Sequence, residues 1–165
     1  MSEKLYKTYY QSPIGVLLIE ATDQYISQVT FEVETITNIV NSSTNPLLTT
    51  CVDQLIEYFN GVRLVFTLPI MQNGTVFQMR VWNELININF GKTISYLTLA
   101  RRLGDANCIR AAAASNGKNH IAIIVPCHRV IGSNQSLVGY AGGLWRKKWL
   151  LDHENKIAHG VQTLF

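Results

Sequence analysis

The sequence predicts a mixed α/β (α+β) protein with a β-rich first part and a helical second part. Three observations predict this class: β-prone segments separated by turn residues near the start, helical spacing of apolar residues after Gly74, and a change of texture at Asn73-Gly74-Thr75. The predicted boundary separates residues 1–73 from residues 74–165. A chain of 165 residues is long enough to bury a core in one or two such parts.

The first part is predicted to be a meander of strands followed by a helix. Leu5–Tyr10, Val16–Glu20 and Ile26–Phe31 are β-prone, and turn residues stand between them. A helix is predicted next, because apolar residues recur on one face between Leu47 and Phe59, before Asn60-Gly61. The apolar segment Leu64–Leu68 is predicted to be a further strand.

The second part is predicted to contain a helix-turn-helix. Gly104-Asp105 pairs a helix-ending glycine with a helix-starting aspartate, and an alanine-rich helix follows to about Ser115. Arg110 is the long polar side chain beside the four alanines 111–114. Such a helix can approach a DNA groove closely, and it can equally pack tightly in a core.

Charge is distributed unevenly along the chain. Residues 1–92 contain five Lys/Arg and eight Asp/Glu, a net −3, whereas residues 93–165 contain nine and three, a net +6. The basic half favours a polyanionic partner, although a solvated surface would explain the same charge.

Composition and cysteine usage exclude several classes of protein. With 47% hydrophobic and 15% charged residues, disorder and coiled coil are excluded, and no apolar run approaches the roughly 20 residues of a membrane span. The start of the chain lacks an export signal, so free thiols and a cytoplasmic location are expected. Cys51 and Cys108 are expected to be inert, and no residues have the spacing of a zinc site, so no metal is expected.

Cys127 has the surroundings of a reactive thiol. It follows the apolar run Ile121–Val125, which is predicted to be a buried strand, and His128 and Arg129 come directly after it. Adjacent positive charge would favour the thiolate. Imidazole could act as the base, directly or through water, and a carboxylate such as Glu154 could hold its tautomer.

These residues resemble the O6-alkylguanine-DNA alkyltransferases, also called methylated-DNA–protein-cysteine methyltransferases. The octet Ile124–Ile131, with Pro-Cys-His-Arg at its centre, is similar to the active-site signature of that family. Further matches occur in family order along nearly the whole chain: Ser12–Gly15, Gly74–Gln78, Gly91–Tyr96, Gly139–Leu144 and Leu150–Glu154. The resemblance implies a ribonuclease-H-like N-terminal domain, and a winged-helix-like C-terminal domain that binds DNA and transfers the alkyl group.

The resemblance also implies a role for each matching residue. Cys127 would accept the alkyl group, His128 would act as its base through a water, and Glu154 would orient the imidazole. Asn119 would bridge the backbone near the turn and support the helix pair, and Tyr96 would hydrogen-bond the purine N3 and help to neutralise the departing guanine. The remaining positions divide between DNA contact, by Arg110, Ala111, Tyr96 and Arg129, and the base pocket, lined by Val130, Tyr140, Ala141 and Gly142.

The implied partner is double-stranded DNA containing O6-alkylguanine. A monomer without a cofactor would flip the damaged nucleotide, fill its place with Arg110 and take the alkyl group irreversibly, once per molecule. Three other readings compete: a binder of damaged DNA that does not repair it, a transcriptional regulator that uses the helix pair, and a cysteine hydrolase. Cys127 argues against the first, the second would need a further domain, and no oxyanion element supports the third.

Overall fold

The computed structural model of the chain describes residues 3–32 and 45–160. They form two compact units. The first unit comprises the described residues up to Gln72 together with His120–Ala122, and the second comprises Asn73–Asn119 and the described residues from Ile123 onward. Within the described residues, no helix has both the length and the apolar character needed to cross a membrane.

The first unit is built on an antiparallel meander, as the sequence predicts. Its strands are β1 (Tyr6–Ser12), β2 (Gly15–Ala21) and β3 (Ile26–Phe31), in that order in the sheet. Along β2 the side chains alternate, and Leu17 and Ile19 are fully buried on the core face. The predicted meander is therefore confirmed.

A helix, α1 (Pro46–Phe59), contributes the other half of this core. Asn45 caps it, since its side chain accepts hydrogen bonds from the backbone N–H of Leu47 and of Leu48. The helix buries Leu48, Cys51, Leu55 and Tyr58, as the apolar spacing predicts.

The predicted strand at Leu64–Leu68 is wrong. The backbone N–H of Thr67 donates to the Gln54 side chain rather than to a neighbouring strand. Val65 is 70% exposed, so the segment has no core face to hold it in a sheet. The pairing occurs instead further along, in a single parallel bridge between Ile26 and Ile70.

The second unit contains the predicted helix pair. α3 (Tyr96–Arg102) is capped by the Ser95 side chain, which accepts from the N–H of Thr98. A 3-10 turn (Ala106–Cys108) follows and leads into α4 (Ile109–Gly117). The preceding helix, α2 (Val76–Leu85), is tied to α4 by a hydrogen bond of 2.9 Å from Trp82 Nε1 to the Ser115 carbonyl.

Two short parallel strands connect the helix pair to the cysteine segment. β4 (Ile94–Ser95) pairs with β5 (Val130–Ile131), with Ile94 opposite Val130. Because α3 begins directly after β4, this pairing fixes the start of α3 relative to the residues that precede β5. The last element, α5 (Leu144–His159), supplies Glu154.

Candidate active site and DNA interface

Cys127 lies in a single turn of 3-10 helix, Cys127–Arg129, and not at the tip of a strand. The predicted strand Ile121–Val125 is wrong: Ile121 makes one bridge with Val29, after which the chain turns and Ile123 adopts a φ of 70°. The run is apolar because Ile121, Ile123 and Val125 are buried in this turn. An apolar run of five residues indicates burial, and it does not distinguish a strand from a buried turn.

Side-chain amides replace the missing ladder of backbone hydrogen bonds. Asn119 Nδ2 donates to the Val125 carbonyl at 2.9 Å, and Asn116 Nδ2 donates to the Cys127 carbonyl at 3.3 Å. Buried backbone carbonyls outside regular structure need such partners. Asn119 was predicted to support this turn, whereas the sequence signalled Asn116 only as the end of a helix.

His128, Arg129 and Glu154 form a buried hydrogen-bonded network. Glu154 Oε2 is 2.7 Å from His128 Nε2, and the Arg129 guanidinium donates to both carboxylate oxygens, at 2.8 and 3.1 Å. The Glu154 side chain is 1% exposed and that of His128 is fully buried. Burial alone would raise the pKa of Glu154, but its interactions with His128 and Arg129 lower it well below its usual value, so Glu154 is a carboxylate.

The ionised carboxylate determines which imidazole nitrogen carries the proton. A carboxylate only accepts hydrogen bonds, so His128 Nε2 donates to Glu154. Burial lowers the pKa of His128 more than Glu154 raises it, and the ring is therefore neutral. Its Nδ1 then carries a lone pair, and this buried atom has no hydrogen-bond partner within the described ranges. Nδ1 is the basic atom of the site.

Arg129 corrects one expectation for the DNA interface. It is 6% exposed, and besides its bonds to Glu154 it donates to the Ile88 carbonyl at 2.6 Å. A guanidinium engaged in this way has no face available for a phosphate. Arg129 therefore holds the Glu154 carboxylate and is not carried into the interface.

The pKa of the Cys127 thiol also departs from the sequence-based expectation. Burial raises the pKa of Cys127, while a hydrogen bond with Asn119 and the charge of Lys147 oppose that rise only in part. The adjacent guanidinium does not supply the expected positive charge, because it is paired with Glu154. The free protein thus holds Cys127 as a thiol.

Tyr96 and Tyr140 both lie within electrostatic reach of Cys127. Burial raises the pKa of Tyr96, and the Cys127 charge adds to the rise. The Tyr140 hydroxyl is buried, and burial raises its pKa well above the usual value. Of the other predicted pocket residues, Val130 is fully buried in β5, Ala141 is exposed and Gly142 is half-buried.

Lys147 is a buried residue close to Tyr96 that the sequence did not single out. Its side chain is fully buried, and its Nζ donates to the Val138 carbonyl at 2.8 Å and lies 3.5 Å from the Tyr96 hydroxyl. In the sequence it belongs to the run Arg146-Lys147-Lys148, and three consecutive basic residues predict a group of charged side chains exposed to solvent. Its spacing of seven residues from Glu154 was the available signal, since both then lie on one face of α5.

The helix pair presents an exposed basic surface. Arg110 and Ala111 are exposed on α4, while Ala112 is fully buried against the rest of the unit. Arg101 and Lys118 are exposed as well. The neighbours of Arg110 along α4 include the small side chains of Ala111, Ala113 and Ala114.

Across residues 3–32 and 45–160, no three His, Cys, Asp or Glu side chains are grouped as metal ligands. Cys51 and Cys127 are buried, Cys108 is partly buried, and all three are free thiols. Burial raises the pKa of Cys51 to about 12, which leaves it unreactive at neutral pH.

Comparisons with known proteins agree over most of the chain. Residues 5–72 match the family model for the ribonuclease-like domain of 6-O-methylguanine DNA methyltransferase, and residues 76–156 match the model for its DNA-binding domain. The constitutive methylated-DNA–protein-cysteine methyltransferase of Bacillus subtilis (strain 168) is 37% identical over 161 residues, which cover 93% of this chain and 97% of that protein. The Shigella flexneri methylated-DNA–protein-cysteine methyltransferase is 50% identical over 103 residues, a segment that spans 60% of that protein.

Solved structures show the same likeness. The crystal structure of Mycobacterium tuberculosis OGT in complex with DNA has a TM-score of 0.84 and 37% identity, and the match covers 92% of this chain and 94% of that one. The crystal structure of the Mycobacterium tuberculosis O6-methylguanine methyltransferase has a TM-score of 0.83 and 36% identity, over 93% of this chain and 94% of that one.

Proposed function

The chain belongs to the 6-O-methylguanine DNA methyltransferase family, and from this membership we propose that Cys127 is the sulfur that accepts the alkyl group. Its activity is DNA repair by transfer of an alkyl group from O6-alkylguanine to a cysteine of the protein. The observation that carries the assignment to Cys127 is the hydrogen bond of 2.7 Å between His128 and Glu154 directly beside it. That bond leaves a neutral imidazole with an unprotonated Nδ1 on the residue that directly follows the buried Cys127 in the chain.

The chemical step is a displacement at the alkyl carbon. His128 Nδ1 takes the thiol proton through one water, and the sulfur of Cys127 then forms a bond to the alkyl carbon as the bond from that carbon to guanine O6 breaks. The electron pair of the broken bond leaves with the guanine as its anion, which takes a proton from water. His128 returns the thiol proton to that water, so the net products are the thioether and guanine. Tyr96 donates a hydrogen bond to the purine N3 and stabilises the negative charge as it develops.

The product explains why each molecule acts once. A thioether lacks the reactivity of a thioester, and no further group is proposed to cleave it. The reaction is therefore irreversible and stoichiometric, with one lesion repaired for each protein molecule.

Access to the lesion requires the damaged nucleotide to leave the stack. Extrusion costs a few kcal/mol, and the exposed Arg110 on α4, with Ala111 beside it, fills the space that the nucleotide leaves. Val130, Tyr140, Ala141 and Gly142 line the pocket that receives the base. Phosphate contacts from the basic helix pair make binding strongly dependent on salt.

The division of labour follows the sequence boundary. Residues 74–165 carry DNA binding and alkyl transfer, and residues 1–73 form a β-rich domain that matches the family's ribonuclease-like domain; the first structural unit ends at Gln72 and also includes His120–Ala122. The protein acts as a monomer without a cofactor in the cytoplasm, where a reducing environment keeps Cys127 as a free thiol.

Intact-protein mass spectrometry tests the acceptor. After incubation with duplex DNA containing O6-methylguanine, the protein gains the mass of one methylene, and Cys127→Ala abolishes the gain. Cys51→Ala and Cys108→Ala are the matched controls, and both retain it. A gain that survives Cys127→Ala, or turnover of an ester by the free protein, would contradict the proposal.

A further inference from the structure

The Val138 carbonyl accepts hydrogen bonds from two side chains. Lys147 Nζ donates to it at 2.8 Å, and the Tyr96 hydroxyl donates to it at 3.1 Å. Lys147 also donates to the Gly139 carbonyl at 3.3 Å, and it lies 3.5 Å from the Tyr96 oxygen. We call Tyr96, Lys147 and these two carbonyls the Val138 cluster.

The two donors differ in capacity. A phenol has one O–H, whereas an ammonium has three N–H groups. In the free protein the only proton of Tyr96 is therefore committed to the Val138 carbonyl. The proposed reaction needs that same O–H as a hydrogen-bond donor to the purine N3, so Tyr96 has to release Val138 before it can assist the leaving base.

Breaking the hydrogen bond from Tyr96 to the Val138 carbonyl costs less when another donor stays on that carbonyl. Lys147 meets that need, because its bond to Val138 is the shorter of the two and does not depend on Tyr96. Its N–H can also donate to the Tyr96 oxygen, which polarises the O–H and makes it a better donor to the base.

We propose that Lys147 is a positioning residue for the departing base: it keeps the Val138 carbonyl hydrogen-bonded so that the Tyr96 hydroxyl can transfer its bond to the purine. The proposal rests on the proposed function of Tyr96 and adds the exchange that makes Tyr96 available. Lys147 itself touches neither the alkyl carbon nor the sulfur in this scheme.

The surroundings of Lys147 support a role for its ammonium group in the site. Burial lowers the pKa of Lys147 to about 8, and an ionised Cys127 would oppose that shift. His128 also lies within electrostatic reach of it, and the Asn116 side chain hydrogen-bonds Tyr96 from α4. Burying a lysine beside the acceptor cysteine is costly, and a purely structural contact to a loop would not need it.

A double-mutant cycle tests the proposal. Single-turnover rates of methyl transfer from O6-methylguanine duplex, at saturating protein, are measured for the wild type, Tyr96→Phe, Lys147→Met and the double variant. Tyr96→Phe slows the wild type by about tenfold or more, since one transition-state donor is lost. In the Lys147→Met background the same change costs less than about threefold, because Tyr96 then stays on Val138.

Three further variants make the result decisive. Lys147→Arg restores at least part of the rate, because a guanidinium still donates to carbonyls. Lys148→Met, a change at the adjacent and partly exposed lysine, leaves the rate within about twofold, since its ion pair with Asp152 retains access to water and Lys148 makes no contact with Tyr96 or Val138 in the described structure. If Lys147→Met does not fold, Lys147→Leu provides the same cycle, because it also removes the donor to the Val138 carbonyl.

Each outcome has one meaning. Additive losses for Tyr96→Phe and Lys147→Met overturn the exchange, and so does a Tyr96→Phe variant with the wild-type rate. In both cases methylation of Cys127 in the wild type continues, so the failure is separate from a failure of the proposed function. Strong coupling together with rescue by Lys147→Arg supports the proposal.

Discussion

Replacing Glu154 by Gln removes the negative charge from the centre of the buried network. Glu154 accepts from His128, from two nitrogens of Arg129 and from the backbone N–H of Gly91. A glutamine keeps the shape but has one acceptor oxygen, and its NH2 would face donors. The Arg129 cation, 6% exposed, would remain without a counter-charge.

The expected loss in the free energy of unfolding is about 3–5 kcal/mol, the usual cost of removing one partner of a buried ion pair. For a chain of this size that corresponds to a fall in Tm of roughly 6–20 °C. Methyl transfer falls as well, because His128 loses the acceptor that fixes its tautomer.

Tryptophan fluorescence during urea unfolding is a suitable assay. All three tryptophans, Trp82, Trp145 and Trp149, belong to the second unit, so the signal reports on the unit that contains Glu154. Glu84→Gln is the matched control, because Glu84 pairs with Arg102 in the same unit at 3.8 Å with both side chains partly exposed. That variant loses less than about 1 kcal/mol. Equal losses in the two variants would refute the reasoning from burial.

The dependence on pH has a definite sign. The folded-state pKa of Glu154 lies below its unfolded value of about 4.3, so its stabilisation is present above that pH and is lost as pH falls toward the folded pKa. The wild type therefore loses stability more steeply below about pH 4 than Glu154→Gln does. If the stability of the wild type and of Glu154→Gln fell equally below about pH 4, the ionisation of Glu154 would not be the source of this pH dependence.

Two further predictions concern DNA and packing. Arg110→Ala slows transfer from duplex DNA by about tenfold or more while reaction with the free modified base is unchanged, because only extrusion is affected; Lys118→Ala, the control, mainly weakens binding. Gly91→Ala loses about 1–3 kcal/mol in urea unfolding, because Gly91 has a φ of +76° and a Cβ there would lie 2.5 Å from that of Ala158. Gly104→Ala is the control, because Gly104 has a φ of +98° but no atom within 4 Å of the added Cβ, so its loss of stability reports the backbone strain alone. An equal loss in the two variants would show that the contact with Ala158 contributes nothing.

Patterns with a period predicted the fold well. The meander, α1 and the helix pair all have apolar residues or caps at regular spacing, and these local signals survive in the structure. The segments at 64–68 and 121–125 were predicted wrongly because short apolar runs have no period. Their backbone hydrogen bonds go to Gln54 and Asn119, which lie elsewhere in the sequence and give no local signal.

Partner choice within the site was predictable only in part. The sequence indicated that His128 needs a carboxylate and offered Glu154, but it could not show that Arg129 would compete for the same group. Lys147 was missed because sequence gives the charge of a side chain and not its burial. In both cases the sequence did not show that the cation, Arg129 or Lys147, is buried. Burial depends on packing among segments that lie far apart in the chain.

The raised pKa of Cys127 fits the proposed chemistry better than a stored thiolate would. A permanent thiolate reacts with any alkylating agent, and a protein that acts once would be consumed without repairing DNA. Burial keeps the sulfur protonated in the free protein, while the neutral His128, held by Glu154, can remove the proton when a substrate fills the site. Asn119 and Lys147 offset the rise in the Cys127 pKa only in part, so the thiol stays protonated until His128 removes its proton. The arrangement thus places the control of reactivity in proton transfer to His128, and the same carboxylate that stabilises the fold determines whether that transfer can occur.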